Sequence, residues 1–132
     1  MATEILVNDG GAPARILPYT SNGTITAGMI LCVDENGKVV PAATGLGTAR
    51  GSYIAGVALT DAASGELCNV VSGSGIIVMV LAGDTGDNIG KAYGIGATAG
   101  QLDTTTTVGT VWGVALSDNL GAAALAKFLV VA

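Results

Sequence analysis

Tyr53-Ile54-Ala55-Gly56-Val57-Ala58-Leu59-Thr60-Asp61 and Val111-Trp112-Gly113-Val114-Ala115-Leu116-Ser117-Asp118 are nearly the same stretch, written twice in one chain. Each is a run of small and β-branched residues that breaks at a hydroxyl followed by an aspartate. Each then gives way to a turn and a second apolar run. Such runs favour strand over helix. The doubling predicts one structural unit used twice.

Outward from the first copy, residues 29–33 read as a strand. Asp34-Glu35-Asn36-Gly37 is a hairpin turn in which Asn-Gly supplies the positive φ, and residues 38–41 are the returning strand. Residues 42–52 are a loop. After the first copy, residues 61–65 turn, and 66–71 form a strand with Leu67 and Val71 on one face and Cys68 and Val70 on the other. Residues 72–75 turn again. Residues 76–81 are a continuous apolar strand expected to be buried on both faces.

Beyond the polar loop at residues 83–88 the order recurs. Residues 90–95 match the strand at 29–33, and Ala99-Gly100-Gln101-Leu102 matches Asn36-Gly37-Lys38-Val39. Residues 104–108 are a β-prone threonine stretch. After the second copy come a turn at 118–121 and a closing strand at 128–131. Residues 122–127 have helical propensity, but their match with 66–71 favours strand. Eight or more short, evenly spaced strands predict an all-β fold, a small barrel or sandwich with an internal pseudo-repeat.

The first residues differ in character. Residues 4–7 read as one short strand, broken at once by Asp9-Gly10-Gly11-Ala12-Pro13. Ile16-Leu17-Pro18-Tyr19-Thr20 is extended, because a residue before proline disfavours helix. Ser21-Asn22-Gly23 is a turn. The expected division is an extended N-terminal arm over residues 1–27, tied down by a few apolar side chains, and a β-barrel domain over 28–132.

Composition excludes several function classes. The chain has 132 residues, half of them hydrophobic, 11% charged, 4% aromatic, and 21 glycines. A core of that make-up is aliphatic and offers few rings for a conventional pocket. The net charge is −5, and the five basic residues, Arg15, Lys38, Arg50, Lys91 and Lys127, are scattered. Nucleic acid, which needs a basic stripe, is therefore not an expected partner. So little charge leaves much apolar surface, which predicts a protein covered in use by other copies or a partner. The start of the chain lacks the basic and apolar regions of a secretory signal. The run at 76–82 is far shorter than the ~20 residues of a membrane span, so no membrane is expected.

Chemistry is sparse. The chain has no histidine, which removes the commonest general base and the Ser-His and Cys-His systems. Asp84-Thr85-Gly86 matches the core triplet of aspartic proteases, in which paired carboxylates activate a water. Against that reading, Asp87 adds a negative charge beside the dyad and Gly83 replaces a branched apolar residue. The same loop, through Asn88, offers clustered oxygens to calcium but lacks the terminal glutamate of an EF-hand. Asp61 and Asp118 are expected to stabilise turns. Cys32 and Cys68 lie in apolar runs and read as buried thiols, with a disulfide as the alternative. Two cysteines without histidine make no zinc site. Trp112, the single tryptophan, takes the place of Ile54 in the first copy and reads as a core filler or a subunit contact.

A short extended N-terminus, Thr26-Ala27-Gly28-x-x-Leu31-x-Val33-Asp34-x-x-Gly37, and the two Gly-Val-Ala-Leu runs, the second preceded by Trp112, together carry a resemblance. Over most of residues 24–131 the chain resembles the small cement or decoration proteins of tailed-bacteriophage capsids. The resemblance implies a β-tulip-like barrel, a homotrimer, and binding to the major capsid protein on the exterior of the expanded shell. It implies no enzyme activity, cofactor or metal, and a virion protein made in the host cytoplasm. It also implies an arm that docks on the capsid, for which the residues are Ile5, Leu6, Val7, Arg15, Ile16, Leu17 and Tyr19. Two other classes stay open: a binding module for glycans or cell surfaces, displayed on a virion or secreted, and a hydrolase built on Asp84.

Overall fold

The computed structural model describes residues 5–8, 14–34, 36–43, 54–83, 89–96, 98–104, 111–117 and 124–131, and every regular element among them is a β-strand. They are β1 (Leu6–Asn8), β2 (Arg15–Thr20), β3 (Ile30–Val33), β4 (Val39–Pro41), β5 (Ile54–Ala58), β6 (Leu67–Ser72), β7 (Ile77–Ala82), β8 (Ala92–Ile95), β9 (Leu102–Thr104), β10 (Gly113–Ala115) and β11 (Ala124–Val130). The fold is all-β. Strand wins over helix at β11 because all but its last residue pair in antiparallel register with β7, from Ala124↔Ala82 to Leu129↔Ile77. Tertiary pairing overrides the local alanine propensity.

The strands form two sheets. The first has the order β2-β6-β5-β3-β4, and its two ends are joined by an isolated parallel bridge, Ser21↔Val39. The second has the order β7-β11-β10-β8-β9 and closes into a five-stranded barrel through the parallel pair Ala82↔Leu102, with β1 added outside β7. Adding five to each strand number of the first order gives the second. Individual hydrogen bonds follow the same correspondence. Gly28 N–H donates to Ala58 O at 2.9 Å and Gly90 N–H to Ala115 O at 2.8 Å. Leu59 N–H donates to Asn69 O at 2.9 Å and Leu116 N–H to Lys127 O at 2.8 Å. At the closing bridges, Asn22 N–H donates to Val39 O at 2.9 Å and Gly83 N–H to Leu102 O at 2.8 Å.

One apolar cluster fills the barrel and continues into the face of the first sheet that packs on it. It joins Val78, Val80, Tyr93, Leu102 and Phe128 to Ile30, Cys32, Val57 and Val71. Its aromatic centre is an edge-on pair, Tyr93 and Phe128, with ring centroids 4.9 Å apart, a geometry worth about 1 kcal/mol beyond area burial. A smaller cluster, Leu31, Val39, Ala58, Cys68 and Val70 with Ile25 and Ala62, lies on the other face of the first sheet. Neither cysteine is in a disulfide, and both are buried, one in each cluster, so the disulfide alternative does not hold.

Two expectations change. β7 is not buried alike on both faces: Val78, Val80 and Ala82 are fully buried, while Ile77, Met79 and Leu81 are half-buried. A barrel strand has an inside and an outside, and the outside of β7 is only partly covered. The segment read as an arm also enters the fold. β2 pairs with β6 over six residues, Arg15↔Ser72 to Thr20↔Leu67, and Ile5 and Ile25 are buried in the two clusters. The aliphatics on either side of the Gly and Pro breaks were enough to draw the segment into both sheets.

The glycine of each repeated stretch sets how closely neighbouring strands approach. A Cβ on Gly56 (φ 141°) would collide with the Val71 carbonyl oxygen, and one on Gly113 would lie 3.1 Å from the Leu129 carbonyl oxygen. Gly56→Ala is expected to cost about 2–4 kcal/mol in urea unfolding. Gly65→Ala, at positive φ but with open space around it, should cost about 1 kcal/mol. Equal losses would show that the close approach does not govern. Deleting residues 1–20 removes β1, β2 and Ile5, and is expected to abolish the cooperative unfolding transition seen by circular dichroism; a retained transition would show that β2 is dispensable.

Candidate functional site

The most polar clasp of the molecule holds the first sheet closed. Asp34 is 5% exposed at the end of β3. Its Oδ1 accepts from Asn36 N–H at 2.9 Å and Lys38 N–H at 3.0 Å, and its Oδ2 accepts from Asn22 Nδ2 at 2.9 Å. An aspartate that opens a tight turn bonds the backbone two residues on, and the positive φ of Gly37 (77°) completes the turn. Asn22 then ties that turn to the end of β2. Ser21, fully buried beside it, places Oγ 2.6 Å from Ala63 O and 3.1 Å from Glu66 O. These three bonds make Asp34 part of the scaffold that joins the hairpin turn to the end of β2.

Asp61, expected to stabilise its own turn, bonds elsewhere. Asp61 Oδ1 accepts from Ala27 N–H at 2.7 Å, across the molecule rather than within its own turn. The antiparallel bridge Ile25↔Ala62 brings the two segments together. Asp118 and the whole of residues 84–88, with the protease-like triplet and the calcium reading, lie outside the described residues. Among the described residues no group of three or more His, Cys, Asp or Glu is placed to hold a metal ion. Among them, too, no helix is long and apolar enough to cross a membrane. Burial raises the Cys68 thiol pKa, which keeps it protonated and unreactive.

Trp112 is 5% exposed and belongs to the main cluster. Its backbone N–H donates to the Tyr93 backbone carbonyl at 2.8 Å, and its own carbonyl accepts from the Val131 backbone N–H at 3.0 Å. With Ile54, Gly56, Ser72 and Val130 it lines a cavity of about 270 Å³ between β5 and the end of β11. Within the single chain the ring is already buried.

The residues read as a docking arm are not brought to one surface. Ile5 is buried, Leu6 is half-buried on the main cluster, and Tyr19 is half-buried against the smaller one. Arg15 is exposed, and Val7, Ile16 and Leu17 are 39%, 50% and 42% exposed. Leu67, opposite Thr20, is 70% exposed and was missed. Its signal was present in the alternation of 66–71, but both faces of that run carry aliphatics, so the sequence does not say which is outside.

No family model and no curated protein matches the chain. Among solved structures, the crystal structure of head fiber gp8.5 N base in bacteriophage phi29 is similar, with a TM-score of 0.61. The likeness covers 89% of this chain and 94% of that one at 15% sequence identity, so it is a likeness of fold.

The burial of Trp112 is directly measurable. Its fluorescence is expected to be blue-shifted and barely quenched by iodide, and to stay so when the protein is diluted until it is monomeric. A red shift on dilution would place the ring at a subunit contact instead.

Proposed function

We propose that the chain is a structural protein of a phage virion that binds the outside of the mature head lattice, through the major capsid protein, and stabilises it. The observation that carries this reading is the fold likeness to a phage head-fiber base over nearly the whole of both chains. The sparse charge and the aliphatics left exposed on β2 and β6 support it, since a surface of that kind is stable when covered. Three copies associate, as the decoration-protein resemblance implies, and residues 1–27 contribute to docking through Val7, Arg15, Ile16 and Leu17. The two sheets descend from one duplicated unit, for which the shared strand order and hydrogen bonds are the support.

The mechanism is thermodynamic and needs no catalysis. A protein that binds only the expanded lattice adds its binding free energy to that state and so opposes disruption. Many copies on one shell turn weak single contacts into high avidity. The glycan-binding alternative loses its main support, because a buried Trp112 offers no exposed ring for a sugar to stack on.

Purified protein mixed with expanded capsids and with unexpanded procapsids of the encoding phage should co-sediment with the expanded form. Absence from both pellets would overturn the proposal. Equal binding to both would remove the stabilising mechanism, because no state would be favoured.

A further inference from the structure

The hydrogen bonds that align the two sheets also align their outer faces. With Ser21 matching Ala82 at the closing bridges, Ile16, Pro18 and Thr20 of β2 stand where Ile77, Met79 and Leu81 stand on β7. With Asn69 matching Lys127, Leu67 of β6 stands where Leu125 stands on β11, and the cross-strand pairs agree: Thr20↔Leu67 and Leu81↔Leu125.

The two faces are covered differently. On the barrel, Met79 N–H donates to Ile5 O at 2.8 Å and Leu81 N–H to Gly28 O at 2.9 Å. Gly28 lies directly on Leu125, and β1 runs antiparallel along β7. The chain's own extended, aliphatic segment thus lies along that edge, leaving Ile77, Met79, Leu81 and Leu125 half-buried. On the first sheet nothing among the described residues takes the place of β1, and β2 is the terminal strand. Ile16, Pro18 and Leu67 are exposed, the last at 70%.

We infer that the outer face of β2 and β6 is the docking surface for an extended, aliphatic segment of the shell protein, laid down as β1 is laid on β7. This rests on the proposed virion role and specifies the partner's chemistry and its seat. Two observations select a different protein over a second copy. The chain's own β1 is already placed on β7. Pro18 also stands where Met79 gives the N–H that anchors the Ile5 carbonyl, so a second copy's β1 would meet a proline at its anchoring point. A foreign segment in another register needs no donor there. It gains the apolar contacts of Ile16 and Leu67 and the free edge of β2. Arg15, exposed at the start of that edge, adds a positive end in an acidic chain.

The test is co-sedimentation of three proteins with expanded capsids of the encoding phage: wild type, Ile16→Asp/Leu67→Asp, and Leu116→Asp, which is exposed on the other sheet. Leu67→Ser alone serves if the double variant unfolds. Wild type and Leu116→Asp should bind alike, while the face variant should lose at least 10-fold in apparent affinity with unchanged mass and circular dichroism. Wild type that does not bind sinks the virion reading itself. Wild type that binds beside a face variant that binds equally well overturns the assignment of this face. A face variant that drops to a lower oligomer mass shows that the face joins copies of this chain, and also overturns it.

Discussion

Closing five strands on themselves leaves an interior so narrow that side-chain size governs the rest of the structure. In small barrels the inward side chains fill the centre completely, and among the described residues they include Val78, Val80, Ala82, Tyr93, Leu102, Ala115, Ala126 and Phe128. The unusual composition follows from this constraint. Large rings would not fit in number, and Tyr93 and Phe128 fit by meeting edge to face. Gly56 and Gly113 extend the same logic to the backbone: a Cβ would strike a neighbouring carbonyl at Gly56 and crowd one at Gly113.

The closing seams of the two sheets are also built from different side chains. In the first, Asn22 and Asp34 bond each other across the seam. In the second, the corresponding positions are Gly83 and Gly96, and the Asp103 carboxylate lies so close between them that a Cβ on either would strike it. A carboxylate thus stands at each seam, supplied from a different strand position. Such carboxylates hold architecture together, which fits a chain in which no catalytic arrangement is seen among the described residues.

Much of the fold was legible in the residues. Gly-Val-Ala-Leu marked β5 and β10, Asp34-x-Asn36-Gly37 marked the hairpin, and the match of 122–127 with 66–71 placed β11 correctly against its own helical propensity. Interior and exterior were less legible. The outward residues of β7 are as aliphatic as its inward ones, so alternation carried no signal until the barrel showed which side faced in. The fate of the N-terminal segment depended on long-range pairing of β2 with β6, more than 45 residues away along the chain, which no local pattern encodes. The surface of interest was half visible: Ile16 stood out beside Pro18, but Leu67 became part of it only once β6 lay beside β2.

A scaffold of two such sheets covers one outer face with its own first strand, and nothing among the described residues covers the equivalent face of the other. The central claim is that the open face meets the shell. Electron cryomicroscopy of expanded capsids saturated with the protein tests this most directly. Shell density is expected along β2 and β6, against Ile16 and Leu67. Bound protein whose β2–β6 face points into solvent would contradict it.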